Sequence, residues 1–369
     1  MARRRAALEA VMEARDVAHL LIYGAANSGT AVPWLCGWPV TTEAACVMSP
    51  GVRDALYVQY YNHLPLARRE TPNADVDWGG ASTIATVAEE IRRRGGADGR
   101  IGVVGPLPFS RRDALADATG AEIVDLSRDY TRLRLVKSDE ELDWFRIGAA
   151  LSDLSIDALM AALRPGLTER DLADIVERAY VPWGGKPGIH FFGVTSMANP
   201  DLEVPRQFTS PREIVAGDIM FTEITATFRD YGGQVLRSFA VGAEPTPLYR
   251  DLHAAADAAF DAIVGCLRPG AVPADIVAAG QVIEQAGFTI CDDMVHGYGG
   301  GYLPPVLGLP SRRDEPLPDL TLEAGMMMVV QPNVITKDGQ AGVQTGECVL
   351  ITETGAESLH SAPRGFLSV

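Results

Sequence analysis

The stretch AGDIMFTEI, residues 216–224, has a second, altered copy in AGMMMVVQP, residues 324–332. An earlier segment repeats in the same order, because LRPGLTERDLADIVERA at 163–179 is matched by LRPGAVPADIVAAGQVIEQAG at 267–287. Each copy has a Leu-Arg-Pro-Gly stop, then a helix, and later a strand. The sequence therefore predicts two homologous half-domains that face each other across a pseudo-twofold axis.

The repeat also predicts where a ligand site lies. It puts Glu223 of the first half and Gln331 of the second half at equivalent positions. Equivalent strands of the two halves should line one central cleft, and such a cleft is a natural ligand site. The stretch YGGQVLRSF, residues 231–239, is typical of the end of a buried strand hairpin and carries the neutral amide Gln234.

The amino-terminal part has a different pattern, in which strands alternate with helices. This alternation predicts an α/β domain with a largely parallel sheet. Ser138 and Glu141 then have the spacing of a capping box at the start of a long helix. We expect a domain of residues 1–135 and a second of residues 136–369. The predicted amino-terminal strands are 19–24, 44–49, 54–61, 100–105 and 121–126, and the helices are 81–94 and 110–120.

Charge and cysteine content exclude several classes of function. The chain has 48 acidic and 32 basic residues, for a formal charge of −16. Such a chain should repel nucleic acid and anionic membranes. Its 5 cysteines are widely spread and form no C-x-x-C pair, which favours reduced thiols and a cytoplasmic location. No apolar run approaches the length of a membrane span, so we expect none.

Six stretches in the second domain resemble the pita-bread-fold family of creatinase, prolidase, aminopeptidase P and methionine aminopeptidase. The resemblance implies a small α/β amino-terminal domain, a pseudo-twofold pita-bread carboxy-terminal domain and a homodimer. It also implies a small-molecule substrate. The stretches are RLVKSDEELDWFRIGA, LRPGLTERDLADIVERA, VAGDIMFTEITATFRDYGGQVLRSFAVG, HGYGGGYLPP, LEAGMMMVVQPNV and GVQTGECVLITETGAESL.

Metallopeptidases of this family hold two divalent ions with two aspartates, one histidine and two glutamates. The resemblance maps these positions, in chain order, onto Glu223, Gln234, His296, Gln331 and Gly346, with Glu347 next along the chain. Hard divalent cations prefer carboxylate oxygens, and amides bring no charge. We therefore expect no metal and no cofactor, and a cleft in which the amides still bind something polar.

The remaining polar groups suggest acid-base chemistry. His296 is the leading candidate for a general acid or base, with Asp293 and Tyr298 placed to orient it. Glu223 and Glu347 are candidates for a second proton-transfer group; a structural pair of Glu223 with Arg237 is the alternative. The expected substrate-binding residues are Gln234, Gln331, Tyr298, Arg237 and His190.

These observations leave three hypotheses open. The first is a metal-independent, creatinase-like hydrolase that cleaves a C–N bond of a small amidino, amide or imino-acid compound. The second is a Xaa-Pro dipeptidase or aminopeptidase with a reduced, single-metal site. The third is a lyase, an isomerase or a non-catalytic binding protein that uses the same cleft. Elemental analysis of the purified protein separates the second from the others.

Overall fold

Contacts within the chain divide it into two compact units, Met1–Arg134 and Leu135–Val369. The structure, a computed structural model, describes residues 2–26, 28–96, 99–313 and 315–369. No helix in these ranges is long and apolar enough to cross a membrane. The sequence pattern placed the boundary after residue 135.

The first unit is a six-stranded sheet with helices on its faces. Its strand order is β4-β3-β2-β1-β5-β6. The strands are β1 (His19–Ala25), β2 (Glu43–Ser49), β3 (Val52–Val58), β4 (Ala74–Trp78), β5 (Arg100–Val104) and β6 (Glu122–Asp125). The helices are α1 (Ala2–Ala14), α2 (Ala31–Cys36), α3 (Leu64–Glu70), α4 (Thr83–Arg93), α5 (Phe109–Thr119) and α6 (Ser127–Leu133).

The sheet of the first unit is mixed rather than uniformly parallel. β2 pairs with β1 and with β3 in antiparallel fashion, whereas the other neighbouring strands are parallel. The β2–β3 connection is a tight turn at Gly51, whose φ of 71° is accessible to glycine at little cost. The sequence pattern did not predict β4. It also predicted that the strand at 54–61 continues to residue 61, whereas β3 ends at Val58 and is followed by a turn and a helix.

The second unit contains a nine-stranded sheet, a separate two-stranded sheet of β10 and β14, and five helices among the described residues. Its main strand order is β12-β11-β13-β15-β9-β8-β7, with β16 beside β15 and β17 beside β9. The helices are α7 (Asp139–Ala162), α8 (Glu169–Tyr180), α9 (Pro247–Cys266), α10 (Pro273–Gly280) and α11 (Val282–Gln285). The strands are β7 (Lys186–Ser196), β8 (Asp218–Phe228), β9 (Tyr231–Val241), β10 (Thr289–Ile290), β11 (Val295–Tyr298), β12 (Tyr302–Leu307), β13 (Met327–Val330), β14 (Val334–Ile335), β15 (Gly346–Ile351), β16 (Ala356–Ser358) and β17 (Leu367–Ser368).

The two repeats occupy corresponding places in this unit. The first Leu-Arg-Pro-Gly segment separates α7 from α8, and the second separates α9 from α10. The apolar faces of α7 and α8 pack on β7, β8 and β9, while α9 and α10 belong to a second cluster that includes residues of β11, β12 and β13 and also of β8 and β9. The repeated strand segments become β8 and β13, which lie in the same sheet.

The predicted capping box is present at the start of α7. The Ser138 side chain accepts a hydrogen bond from the Glu141 amide, and the Glu141 carboxylate accepts one from the Ser138 amide at 2.9 Å. The other Glu141 oxygen accepts a hydrogen bond from Tyr231 at 2.7 Å. The cap therefore fixes the start of α7 against the first residue of β9, the strand that carries Gln234.

Candidate functional site

Strand register decides which side chains of the β8–β9 hairpin share a face. Glu223 lies opposite Leu236, and Thr225 lies opposite Gln234. Cross-strand partners point to the same face and successive residues alternate, so Glu223 and Gln234 lie on one face. The intervening Ile224 is packed on the other face, in the cluster formed with α7 and α8.

The amide of Gln234 joins the two halves of the repeat. Its Nε2 donates to Glu223 Oε1 at 2.7 Å and to Gln331 Oε1 at 2.9 Å. Gln234 and Gln331 are almost completely buried, whereas Glu223 retains partial exposure. Both amide hydrogens of Gln234 are thus used to hold acceptors from equivalent positions of the two repeats.

His296 lies on β11, the second strand from one edge of the sheet, opposite Val329 of β13. Its Nδ1 is 3.0 Å from the carbonyl oxygen of Gly297. Because a carbonyl oxygen can only accept a hydrogen bond, Nδ1 carries the proton, and the lone pair of the neutral ring is on Nε2. The Tyr302 ring stacks on the imidazole with 3.7 Å between centroids. Burial lowers the pKa of His296, although nearby Asp293 opposes this effect.

The burial of His296 changes its expected role. None of the residue is exposed to solvent, while Tyr302, stacked upon it, is 54% exposed. A substrate in the cleft would therefore meet Tyr302 before the imidazole. The two oxygens of Asp293 accept hydrogen bonds from Tyr302 at 3.3 Å and from Gln331 at 3.4 Å. Asp293 thus fixes Tyr302 directly and acts on His296 through its charge.

Glu223 has the electrostatic character of a proton-transfer group. Burial, with smaller contributions from Asp292 and Asp293, raises its pKa to about 8. Asp292 is exposed and accepts a hydrogen bond from Asn333 at 3.0 Å, so Glu223 is the more buried of the two carboxyl groups. A carboxyl group with such a pKa can hold or release a proton near neutrality.

Glu347 and Arg237 do not belong to this face, which corrects the expectation of a catalytic Glu347 and a substrate-binding Arg237. Glu347 pairs in register with Val235, so its side chain lies opposite to that of Gln234. It accepts a bond from Arg237 Nη2 at 2.6 Å, and both side chains are almost fully buried. Arg237 also donates to the carbonyl oxygens of Pro363 and Ala362. The pair therefore anchors the carboxy-terminal segment. Because Arg237 binds Glu347, the alternative pairing of Arg237 with Glu223 is wrong.

Gly346 occupies the cleft-facing position next to Glu347. It lies opposite Leu236, on the face of Gln234. A Cβ placed on Gly346 would collide with the carbonyl oxygen of Val330. A glutamate could not be accommodated there without movement of the backbone of β13.

His190 and Tyr298 also differ from their expected substrate-binding role. His190 lies opposite Ile224, on the far face of the sheet, where its Nε2 is 2.9 Å from the Tyr180 hydroxyl. Tyr298 is on the side of His296 but is buried in an aromatic cluster with Phe145. Burial raises the pKa of the Tyr298 hydroxyl above its ordinary range. Both residues therefore contribute to packing.

The residues at the five family ligand positions do not fit two divalent ions. They offer one carboxylate, one imidazole, two amides and the side-chain-free Gly346, and Gln331 Oε1 already accepts from Gln234. In the part of the chain that the structure describes, no group of three or more His, Cys, Asp or Glu side chains could hold a metal ion. Two dications would lack the negative charge that such a site needs.

Sequence reasoning overlooked Asp292 and Asn333. The pairing of the two-residue strands β10 and β14 brings the segment after Ile290 beside the segment before Val334. The Asp-Asp pair shortly before His296 was the available signal. The partner of Asp292 could not be inferred, because Asn333 lies 41 residues away in the chain.

Comparison with known proteins gives consistent results. The model of metallopeptidase family M24 matches residues 143–353. A probable dipeptidase PepE of Mycobacterium tuberculosis is 31% identical over 284 residues, which cover 74% of this chain and 72% of that protein. The Xaa-Pro dipeptidase of Pyrococcus furiosus is 25% identical over 276 residues, covering 72% and 75%.

Solved structures show the same fold over the whole chain. Dipeptidase PepE from Mycobacterium ulcerans superposes with a TM-score of 0.82 at 26% identity, covering 100% of this chain and 97% of that one. A Xaa-Pro dipeptidase from Bacillus anthracis gives 0.85 at 19% identity, covering 100% and 99%. The expected combination of a small α/β domain and a pita-bread domain is confirmed.

These relatives are named dipeptidases, so the comparisons favour the peptidase hypothesis over a creatinase-type reaction. They also lend no support to the expected metal-free chemistry, because the matching family is named for metallopeptidases. The family match covers more than half of the chain, and the expected resemblance is confirmed. The chain is therefore a hydrolase that belongs to metallopeptidase family M24.

Proposed function

We propose that the protein hydrolyses the C–N bond of a small peptide-like amide or imino-acid compound, with Glu223 as the proton-transfer group and without a two-metal centre. The observation that carries the proposal is the bridge from Gln234 Nε2 to Glu223 and Gln331. It leaves a partly exposed carboxyl group, of raised pKa, at the place where the two halves of the repeat meet.

The reaction needs one group that moves a proton twice. Ionised Glu223 takes a proton from water as the water oxygen bonds to the carbonyl carbon of the substrate. The same proton then passes to the leaving nitrogen as the C–N bond breaks, and Glu223 returns to its ionised form. Gln234 holds one Glu223 oxygen throughout. His296 and Asp293 are positioning residues that set the orientation of Tyr302 above them.

Turnover of chelator-treated protein tests this proposal. A panel of dipeptides and small amides should include a substrate that is hydrolysed at a rate unchanged by chelator. Glu223→Gln should lose at least about 100-fold in kcat, the usual scale for a general acid or base. The exposed Glu357 supplies the matched control, since Glu357→Gln should leave kcat unchanged. Equal activity of both variants would contradict the role of Glu223.

The similarity to named dipeptidases supports a second candidate, a dipeptidase with one divalent ion. Glu223 and His296 are the ionisable donors that remain at the family positions. In that case purified protein would contain about one equivalent of metal and would lose activity to chelator. Activity that depends on added manganese would replace the first proposal with this one.

A further inference from the structure

Tyr302 places a hydroxyl group on the face of the cleft that carries His296. It is the first residue of β12 and lies opposite Tyr298, so its side chain shares the face of the imidazole. Its ring stacks on the imidazole with 3.7 Å between centroids and 12° between the two planes. His296 is fully buried whereas Tyr302 is 54% exposed, so one face of the phenol ring is fixed and the side chain remains open to a ligand.

A chain of hydrogen bonds connects this hydroxyl group to Glu223. Tyr302 donates to Asp293 at 3.3 Å, and the other Asp293 oxygen accepts from Gln331 Nε2 at 3.4 Å. Gln331 Oε1 in turn accepts from Gln234 at 2.9 Å, and Gln234 donates to Glu223 at 2.7 Å. The phenol and the carboxyl group therefore have fixed relative positions in the free protein.

The Tyr302 hydroxyl group is available as a donor to a substrate. An O–H···O hydrogen bond is usually about 2.7 Å long, so the bond to Asp293 is weak and little is lost when the hydroxyl group turns to another acceptor. A phenol keeps its proton at neutral pH. Burial, followed by the charges of Asp293 and Glu223, raises the pKa of Tyr302 further above its ordinary value.

Three other side-chain donors of this face are committed or covered. His296 Nδ1 donates to a backbone carbonyl oxygen, and both amide hydrogens of Gln234 are held by acceptor oxygens. Gln331 Nε2 donates to a carboxylate, and the residue is 2% exposed. A substrate carbonyl group that enters the cleft therefore meets Tyr302 as an exposed donor.

Amide hydrolysis needs such a donor. Negative charge develops on the carbonyl oxygen as the water that Glu223 activates adds to the carbonyl carbon. A fixed donor aimed at that oxygen stabilises the charge, and the residues of this cleft do not fit two metal ions that could do so. We propose that Tyr302 is a catalytic residue whose hydroxyl group donates a hydrogen bond to this oxygen. The inference deepens the proposed function, on which it rests for the reaction being hydrolysis.

Tyr302 keeps its proton throughout this reaction. The π electrons of the carbonyl group move to the oxygen as the water oxygen bonds to carbon, and they return as the C–N bond breaks. The proton of the water passes through Glu223 to the leaving nitrogen. The phenol therefore contributes only while the oxygen carries charge.

Removal of the hydroxyl group alone tests the inference. Tyr302→Phe keeps the ring that stacks on His296. In chelator-treated protein, its kcat for the most rapidly hydrolysed member of the panel of dipeptides and small amides should fall by about 100- to 1,000-fold, while KM stays within about threefold of wild type. Tyr57→Phe, the same change at a half-buried tyrosine of β3, should leave kcat unchanged. Unchanged kcat in Tyr302→Phe, or a rise in KM alone, would overturn the inference.

A pair of dipeptide analogues tests the donor without turnover. The phosphinic analogue of alanyl-alanine has a tetrahedral centre with oxygens at the place of the developing charge, whereas the trans-alkene analogue has no oxygen there. Wild type should bind the phosphinic analogue at least about tenfold more tightly than the alkene. Tyr302→Phe should lose this preference with its affinity for the alkene unchanged. A preference that is absent in wild type, or retained in Tyr302→Phe, would overturn the inference.

Two results separate this inference from the proposed function. Hydrolysis that requires Glu223 but proceeds equally fast in Tyr302→Phe would keep the proposed function and overturn the inference. A preference for the phosphinic analogue that depends on Tyr302, in a protein that hydrolyses none of the amides tested, would uphold the donor and remove the proposed function.

Discussion

At the scale of single residues, the amides Gln234 and Gln331 set the chemistry of the cleft. Each is nearly the shape of a carboxylate side chain, yet each supplies donors and removes a charge. Gln234 can hold Glu223 and Gln331 simultaneously because its nitrogen has two hydrogens. An ionised carboxylate in its place would have no hydrogen to donate to the acceptor oxygens of Glu223 and Gln331.

Restoring the acids should therefore damage the wild-type cleft. In Gln234→Asp with Gln331→Glu, two new carboxylates would face Glu223, and the donor to Glu223 would be lost. We expect a loss of about 1–3 kcal/mol in the free energy of unfolding near pH 7, because buried acceptors would be left unpaired. Thermal melts of wild type and the double variant, with and without manganese, measure this loss of stability.

The restored acids also allow a direct test of metal binding. Manganese should raise the melting temperature of the double variant, following mass action with its concentration. Wild type should gain much less, since its amides bring no charge. If manganese stabilises wild type as much as the variant, the amides are metal ligands and the metal-free proposal is wrong.

The Arg237–Glu347 pair makes a second prediction at the residue scale. The ion pair is buried at 2.6 Å. Glu347→Gln should lower the free energy of unfolding by about 3–5 kcal/mol, because the guanidinium would lose its buried counter-charge. Urea unfolding measures the loss. The kcat of the folded fraction should stay near the wild-type value, and a large loss of kcat would return Glu347 to the catalytic site.

At the scale of elements, a clasp holds the carboxy-terminal segment to α7. Asp153 on α7 accepts hydrogen bonds from His360 Nδ1 at 2.7 Å and from the Ser361 amide at 2.6 Å. Burial alone would raise the pKa of Asp153, but these hydrogen bonds outweigh it and hold the pKa below its ordinary value. The ionised carboxylate is therefore the form that the folded state prefers.

The clasp gives the stability of the second unit a defined dependence on pH. A depressed carboxyl pKa contributes stability that is complete above the unfolded pKa, near 4, and is lost as the pH falls through the folded value. Asp153→Asn should cost about 1.5–3 kcal/mol at pH 7, the scale of hydrogen bonds to charged groups. Melts at pH 7 and pH 3 should show the difference shrinking in acid; a constant difference would contradict the clasp.

At the scale of the whole molecule, we propose that the chain is a homodimer. The resemblance to the creatinase and prolidase branch motivates this proposal. Exposed aromatic residues in the first unit, Tyr60, Tyr61 and Trp78, are candidates for the contact. Light scattering at micromolar concentration should give twice the chain mass of 39.5 kDa, and Tyr61→Asp with Trp78→Asp should reduce it. A monomeric wild-type protein would contradict the proposal.

The sequence by itself determined the features that depend on short-range patterns. The Ser138–Glu141 cap predicted the start of α7, and the repeated segments predicted that Glu223 and Gln331 lie in one site, where Gln234 bridges them. The pita-bread domain was expected from the resemblance of six sequence stretches to the creatinase and prolidase family. Each of these patterns spans a few residues or recurs in both halves, so it can be recognised in the sequence without knowledge of long-range contacts.

Only the tertiary structure decided which polar residues reach the cleft. Side chains alternate across a strand, so one step in register separates Gly346 on the cleft face from Glu347, which binds Arg237 on the other face. The stacking of Tyr302 on His296 and the bond from Asn333 to Asp292 likewise depend on pairings between distant segments. Composition and spacing carry no record of register or burial, and these two quantities set both the accessible groups and their pKa values.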